Sequence, residues 1–284
     1  MRTKTESPVC HARSLLFVPA TRPERFAKAL GSGANCIIID LEDAVADDSK
    51  ISAREQLAQH LPQLTPAQLA RTLVRVNAVD TRWHDAEIAL LRNWSDKGVT
   101  VMLPKSDHAA AIRDVAQALG PKAAIVALVE SLSGLDAADS LARDPQVIRL
   151  AFGHLDFQLD LGMHASAEEP ELAFARNALV AASRRAGLTA PIDGVTTDIG
   201  NTERLIADAR RARAFGFSGK LCIHPSQVDA VNEVLDYSDA EKAWALRVLG
   251  EAAKHGGEAF RLEGVMVDLP VIRAAEAIVA SIVK

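Results

Sequence analysis

Apolar residues in this chain gather into short runs separated by longer, mixed segments, and the rhythm holds for almost the whole length. The runs are residues 15–18, 36–41, 73–76, 99–103, 124–129, 149–152, 192–195 and 221–223. Several are continuous Val/Ile/Leu stretches rather than alternating ones, the pattern of parallel strands buried on both faces. Between them, segments such as 106–119, 171–186 and 202–215 carry apolar residues at helical spacing. Punctuation agrees with those helices. Ser106 is placed to cap the first of them, and Gly120, Gly187 and Gly216 stand at stop positions. Ser238 followed by Glu241 is a capping-box signature for a further helix.

Eight strand–helix repeats with short connections predict an α/β fold, a TIM (β/α)8 barrel with additional C-terminal helices. An open doubly wound sheet is the competing topology, and periodicity does not separate the two. Residues 14–284 read as a single barrel domain, with 226–284 as a helical extension whose last helix covers 270–283. No Gly/Ser/Pro-rich linker precedes that extension. Residues 1–13 are polar and read as a flexible N-terminal tail.

Composition narrows the function. The chain has 284 residues, 49% hydrophobic and 24% charged, enough for a large core. A net charge of −5 and 4% aromatic residues argue against nucleic-acid binding. The N-terminus has no secretory pattern, and no apolar run approaches the ~20 residues of a membrane span. Cys10, Cys36 and Cys222 cannot all pair within one chain, and two of them sit in strand-like apolar runs. A reducing, cytoplasmic setting is expected. Neither CxxC nor HExxH spacing occurs.

Reactive groups in such a barrel come from the C-terminal ends of strands and the loops after them. Asp40, Glu42 and Asp43 follow the second run, Arg75 and Asn77 end the third, and Lys105 ends the fourth. Glu130 ends the fifth, Asp156 follows the sixth, and His224 ends the eighth. Glu130 and Asp156 terminate neighbouring strands, so their carboxylates are expected to converge. Two carboxylates without a thiol or imidazole pair suit Mg2+, which takes one or two protein carboxylates and fills its shell with water and substrate oxygens. The plain alternative is that each caps a helix or meets a lysine. Arg75 suits a substrate carboxylate or enolate, or else an ion pair with the 40–43 loop. Lys105 has the same dual reading. His224, before a proline, is a base or a loop anchor. Arg22, Arg25 and Lys50 could meet phosphates near the barrel mouth, or be solvated helix residues. Asp268, just before Pro270, reads by position as a helix N-cap.

These segments together resemble the citrate lyase β-subunit-like branch of the HpcH/HpaI aldolase superfamily, which includes malyl-CoA and citramalyl-CoA lyases. The landmarks run from Arg13-Ser14-Leu15-Leu16-Phe17-Val18-Pro19 through Asp40-Leu41-Glu42-Asp43-Ala44-Val45, Arg75-Val76-Asn77 and Leu103-Pro104-Lys105. They continue with Val129-Glu130-Ser131, Phe152-Gly153-His154-Leu155-Asp156-Phe157, the segment from Gly219 to Pro225, and the segment from Gly264 to Asp268. Each is short, but their order is specific.

The resemblance implies that Glu130 and Asp156 are magnesium ligands and Arg75 a substrate-binding arginine. It implies that Asp40, Glu42 and Asp43 line the pocket or hold metal-bound water. Asp268 would complete the site of a neighbouring subunit in a homotrimer or hexamer. On that basis Arg75, Asp43 and Asp268 are assigned to the chemistry, and Arg75, Glu130, Asp40, Glu42 and Lys105 to substrate binding. Ala20 departs from the glycine common in the family, as does His154-Leu155 from the smaller or acidic residues common before Asp156. The implied activity is a Mg2+-dependent carbon–carbon lyase acting on a 3-hydroxyacyl-CoA such as malyl-CoA, citramalyl-CoA or citryl-CoA. Products would be a CoA ester and a 2-oxo acid. A citrate lyase β subunit using an acyl-carrier-protein thioester, a pyruvate–aldehyde aldolase, and a non-catalytic barrel are the alternatives.

Overall fold

The computed structural model describes residues 7–256 and 258–282. Eight parallel strands close into a barrel in chain order. They are β1 (Ser14–Pro19), β2 (Cys36–Asp40), β3 (Thr72–Arg75), β4 (Thr100–Leu103), β5 (Ile125–Val129), β6 (Val147–Phe152), β7 (Ile192–Asp193) and β8 (Gly219–Cys222). Closure is made by β8 on β1, with Leu15 opposite Leu221, which removes the open-sheet alternative.

Alternate residues of each strand enter different cores. Leu15, Cys36, Ile38, Leu73, Met102 and Val126 pack together in one cluster. Their neighbours Leu16, Ile37, Ile39, Val74, Val101 and Ile125 pack with the surrounding helices in the other. Because both faces are covered, the strands read as unbroken apolar runs.

Helix Thr202–Phe215 lies where its periodicity placed it. Asn201 Oδ1 accepts the Arg204 N–H at 3.0 Å, and Gly216 closes the helix at φ 98°. The helix expected from Ser106 instead covers Ala109–Leu119. Ser106 does not cap it, because its hydroxyl donates to the Leu103 carbonyl at 2.9 Å. Ser238 and Glu241 do form the capping box of helix Asp239–Ala252. Among the described residues, no helix is long and apolar enough to cross a membrane.

Two expectations need correction. Residues 7–13 are not a loose tail: Pro8–His11 is a short helix, and Val9, Cys10 and Ala12 are buried. The cause is Arg149 on β6, fully buried, whose guanidinium donates to the carbonyls of Val9 (3.0 Å), Ala12 (2.7 Å) and Ala190 (2.8 Å). These partners lie at the N-terminal ends of the strands, so the segment plugs that end of the barrel. The remaining tail residues, 1–6, lie outside the described residues.

The chain also divides into two compact units, at Leu235 and Asp236, rather than forming one domain extended from 226. Helix Val228–Leu235 buries Val228 and Val231 in the barrel core. The second unit has its own core of Ala245, Val248, Phe260, Val267, Ala275 and Ile278. Its helices Asp239–Ala252 and Leu269–Ile282 are linked by an antiparallel hairpin of Phe260–Leu262 and Val265–Val267.

Candidate active site

The site is built at the C-terminal ends of the barrel strands. Glu130 directly follows β5 and is 5% exposed. Its Oε1 accepts the Lys105 N–H at 2.8 Å. Lys105 adopts a left-handed φ of 45° there, while its side chain is exposed. Gly153 follows β6 and makes room for Glu130: a Cβ there would lie 2.6 Å from both Cβ and Oε2 of Glu130. Burial pushes the Glu130 carboxyl up to about 7, against the pull of the Lys105 N–H and with a further push from Asp156. Asp156 is not at the strand end, as expected, but in the first turn of helix His154–Asp160, where it is exposed. Burial and then Asp43 raise its pKa as well.

Arg75, at the end of β3, is locked by the loop after β2. Its Nε and Nη2 donate to the two oxygens of Asp40 at 2.8 and 2.6 Å. Its Nη1 donates to Asp43 Oδ2 at 3.0 Å and lies 3.1 Å from Glu42 Oε2 without hydrogen-bond alignment. The guanidinium also lies 4.7 Å over the Phe17 ring. Desolvation opposes the arginine charge, but Asp40 outweighs it and the pKa is raised. Asp40 further accepts the N–H groups of Glu42 (3.0 Å) and Ala44 (3.1 Å), so it organises its own loop. Burial pushes Glu42 up to about 8, with Arg75 pulling the other way. The ion-pair reading of Arg75 is therefore what the structure contains.

A cavity of about 370 Å³ joins these groups. Its lining mixes polar groups, Asp40, Asp43, Arg75, Glu130, His154 and Asp156, with apolar ones that include Phe17, Leu128, Phe152, Val195 and Leu221. Glu42 and Lys105, expected to touch substrate, are not among its lining residues: Glu42 lies against the Arg75 guanidinium and Lys105 contributes its backbone N–H to Glu130.

Three other expectations resolve locally. His224 anchors its loop, its Nδ1 accepting the Ser226 N–H at 3.2 Å. Lys50 is buried and bonds to Asn77, away from any phosphate-facing surface. Asp268, in the second unit, precedes helix Leu269–Ile282 and accepts the Val271 N–H at 3.4 Å, in keeping with an N-cap.

The structure adds residues that pattern reading passed over. His154 is buried in the cavity wall, and its ring fills the space where a Gly194 side chain would stand. Burial lowers its pKa, with Glu169 opposing. The signal for Gly153 and Gly194 was available only as two glycines immediately following β6 and β7.

The donor set at Glu130 and Asp156 is oxygen only. Among the described residues no cluster of three or more His, Cys, Asp or Glu side chains is arranged to hold a metal. An ion here would take two protein carboxylates and complete its shell from water or ligand, which fits magnesium's habit. Glu130, buried with its carboxyl pushed up and, among the described residues, in no salt bridge, also fits a cation-binding role.

The family described as HpcH/HpaI aldolase/citrate lyase matches residues 13–225. The CitE protein of Mycobacterium tuberculosis, solved with magnesium, acetoacetate and coenzyme A, superimposes with a TM-score of 0.82 at 34% identity, covering 97% of this chain and 100% of that one. A (3S)-malyl-CoA thioesterase of Cereibacter sphaeroides is 34% identical over 259 residues, 90% of this chain and 89% of its own. An L-malyl-CoA/beta-methylmalyl-CoA lyase of Rhodobacter capsulatus is 32% identical over 311 residues, 98% of this chain and 96% of its own. This chain belongs to the HpcH/HpaI aldolase/citrate lyase family.

Proposed function

We propose that this chain is a magnesium-dependent lyase that cleaves, or forms, a 3-hydroxyacyl-CoA of the malyl-, citramalyl- or citryl-CoA kind. The broader class, a carbon–carbon lyase of the CoA-ester type, goes with the family. The observation that carries the finer reading is the Glu130–Asp156 carboxylate pair lining one cavity together with Arg75, Asp40, Asp43 and apolar side chains.

Glu130 and Asp156 would hold Mg2+, which when bound supplies Lewis-acid polarisation of the substrate oxygens. Arg75, fixed by Asp40, presents positive charge to the same cavity and stabilises negative charge that develops there. Asp43, on the cavity wall, accepts the substrate hydroxyl proton. The O–H electron pair becomes the carbonyl bond of the 2-oxo acid as the carbon–carbon bond breaks. The pair from that bond stays on the thioester fragment as an enolate. Asp268 of a second copy returns a proton to its carbon, giving the CoA ester. Phe17, Leu128 and Phe152 in the lining help exclude water from the enolate.

A homotrimer or hexamer is the proposed assembly. Val265, Met266 and Leu269 beside Asp268 are exposed apolar side chains, which suits their cover by another copy. A reducing cytoplasm suits the three buried cysteines, two of them with thiols pushed up to about 12 by burial.

The test is incubation with malyl-CoA, citramalyl-CoA and citryl-CoA, with and without magnesium, followed by product identification. Magnesium-dependent release of a CoA ester and a 2-oxo acid is the expected result. Free CoA with the intact hydroxy acid would replace cleavage by thioester hydrolysis, and silence with all three would remove the reading.

A further inference from the structure

Behind the acidic loop lies a polar cluster that the chemistry above leaves unused. Lys50, the first residue of helix Lys50–His60, is 5% exposed. Its ammonium donates to Asn77 Oδ1 at 2.6 Å, to the Glu42 carbonyl at 2.8 Å and to the Leu41 carbonyl at 3.0 Å. None of these acceptors is a carboxylate. Charge balance comes at one remove: Glu87, fully buried, accepts Asn77 Nδ2 at 2.6 Å and the Asn77 N–H at 2.8 Å. The ammonium also lies 5.2 Å from the centre of the Trp83 ring.

Burying an ammonium is costly unless it is well bonded, and a helix that only needed core volume here would carry an apolar residue. What the bonds grip is informative. The Leu41–Glu42 peptide is held at both ends, its carbonyl by Lys50 and by Asn77 Nδ2 (2.9 Å) and its N–H by Asp40 (3.0 Å). The next carbonyl, of Glu42, is shared by Lys50 and the Val45 N–H. Asp40, on the far side of the same peptide, takes Arg75 with both oxygens.

We propose that Lys50 is a positioning residue for the reaction. By holding the Leu41 and Glu42 carbonyls, it fixes the peptide that aims Asp40 and Glu42 at Arg75, and so sets the guanidinium in the cavity wall. This rests on the lyase reading above.

The experiment compares Lys50→Met, Lys50→Arg and Leu57→Ala. Leu57, fully buried on the same helix, supplies a loss of stability through apolar packing alone, with no side-chain hydrogen bond to the loop. In Lys50→Met, kcat falls about 30- to 100-fold while KM stays within about threefold, the signature of misplaced machinery rather than lost binding. Lys50→Arg, which keeps charge and donors, recovers at least about tenfold of that. Leu57→Ala keeps the wild-type kcat at a temperature well below its Tm. Equal kcat in Lys50→Met and Leu57→Ala overturns the proposal. Should Lys50→Met not fold, Asn77→Ala, which removes the shared donor to Leu41, is read in the same way. If the wild type turns over no thioester, the lyase reading falls, and Lys50 is judged by amide exchange instead. The N–H groups of Glu42 and Ala44 then exchange at least about tenfold faster in Lys50→Met than in Leu57→Ala. Equal exchange overturns the role.

Discussion

Replacing Glu130 by Gln should stabilise the metal-free protein, in a pH-dependent way. Glu130 ionises at about 7 in the fold against 4.5 for an unperturbed glutamate, because burial penalises its charge. Between those values the folded chain keeps a proton that the unfolded chain releases. Stability therefore falls as pH rises through the window, and the loss is complete above about pH 7. A difference of about 2.5 units corresponds to at most about 3 kcal/mol. A glutamine keeps an acceptor for the Lys105 N–H and never ionises. With metal chelated, Glu130→Gln should match wild type near pH 4 and exceed it by up to about 3 kcal/mol at pH 8. Urea denaturation across that range reads the difference, and relief of the repulsion that Glu130 exerts on Glu42 adds to it in the same direction. Saturating magnesium at pH 8 should return wild type by about 2–3 kcal/mol at a hundredfold excess over Kd and leave Glu130→Gln unmoved. A wild-type-minus-variant difference that does not change with pH would refute the account of Glu130.

Gly153→Ala should cost about 100-fold in kcat and weaken magnesium binding, since a methyl 2.6 Å from Glu130 must displace the carboxylate by the order of 1 Å; unchanged metal affinity by calorimetry would contradict it. Arg149→Met should lower unfolding free energy by about 3 kcal/mol or more, because two buried carbonyls and a half-buried one lose their donor, while kcat at 25 °C is retained at the opposite end of the barrel. If the site is completed by a second copy, mixing Glu130→Ala with Asp268→Ala subunits should restore turnover that neither has alone. No recovery after subunit exchange would assign Asp268 a capping role only.

Much of the barrel was legible because its signal is local. Strands buried on both faces leave unbroken apolar runs, and the polar residues that end them stand out against that background. Arg75, Glu130 and the 40–43 loop were found that way. What escaped reading depends on long-range contact. Arg149 holds residues about 140 positions away, so the N-terminal segment looked like a tail. The unit boundary at Asp236 has no Gly- or Pro-rich linker, and only the separate core around Ala245 and Phe260 reveals it. Lys50 looked like a surface cation because helical position does not tell which side of a loop a side chain enters. Asp156 was placed at a strand end because Gly153 and the start of the next helix were not separable by composition.

The most direct measurement is turnover of a CoA-ester substrate as magnesium is titrated into wild type, Glu130→Ala and Asp156→Ala, with metal affinity followed in parallel. The account predicts saturable magnesium dependence in wild type, and in both variants weakened metal binding with a kcat loss of at least about 100-fold. Wild-type metal affinity and activity in both variants would contradict it.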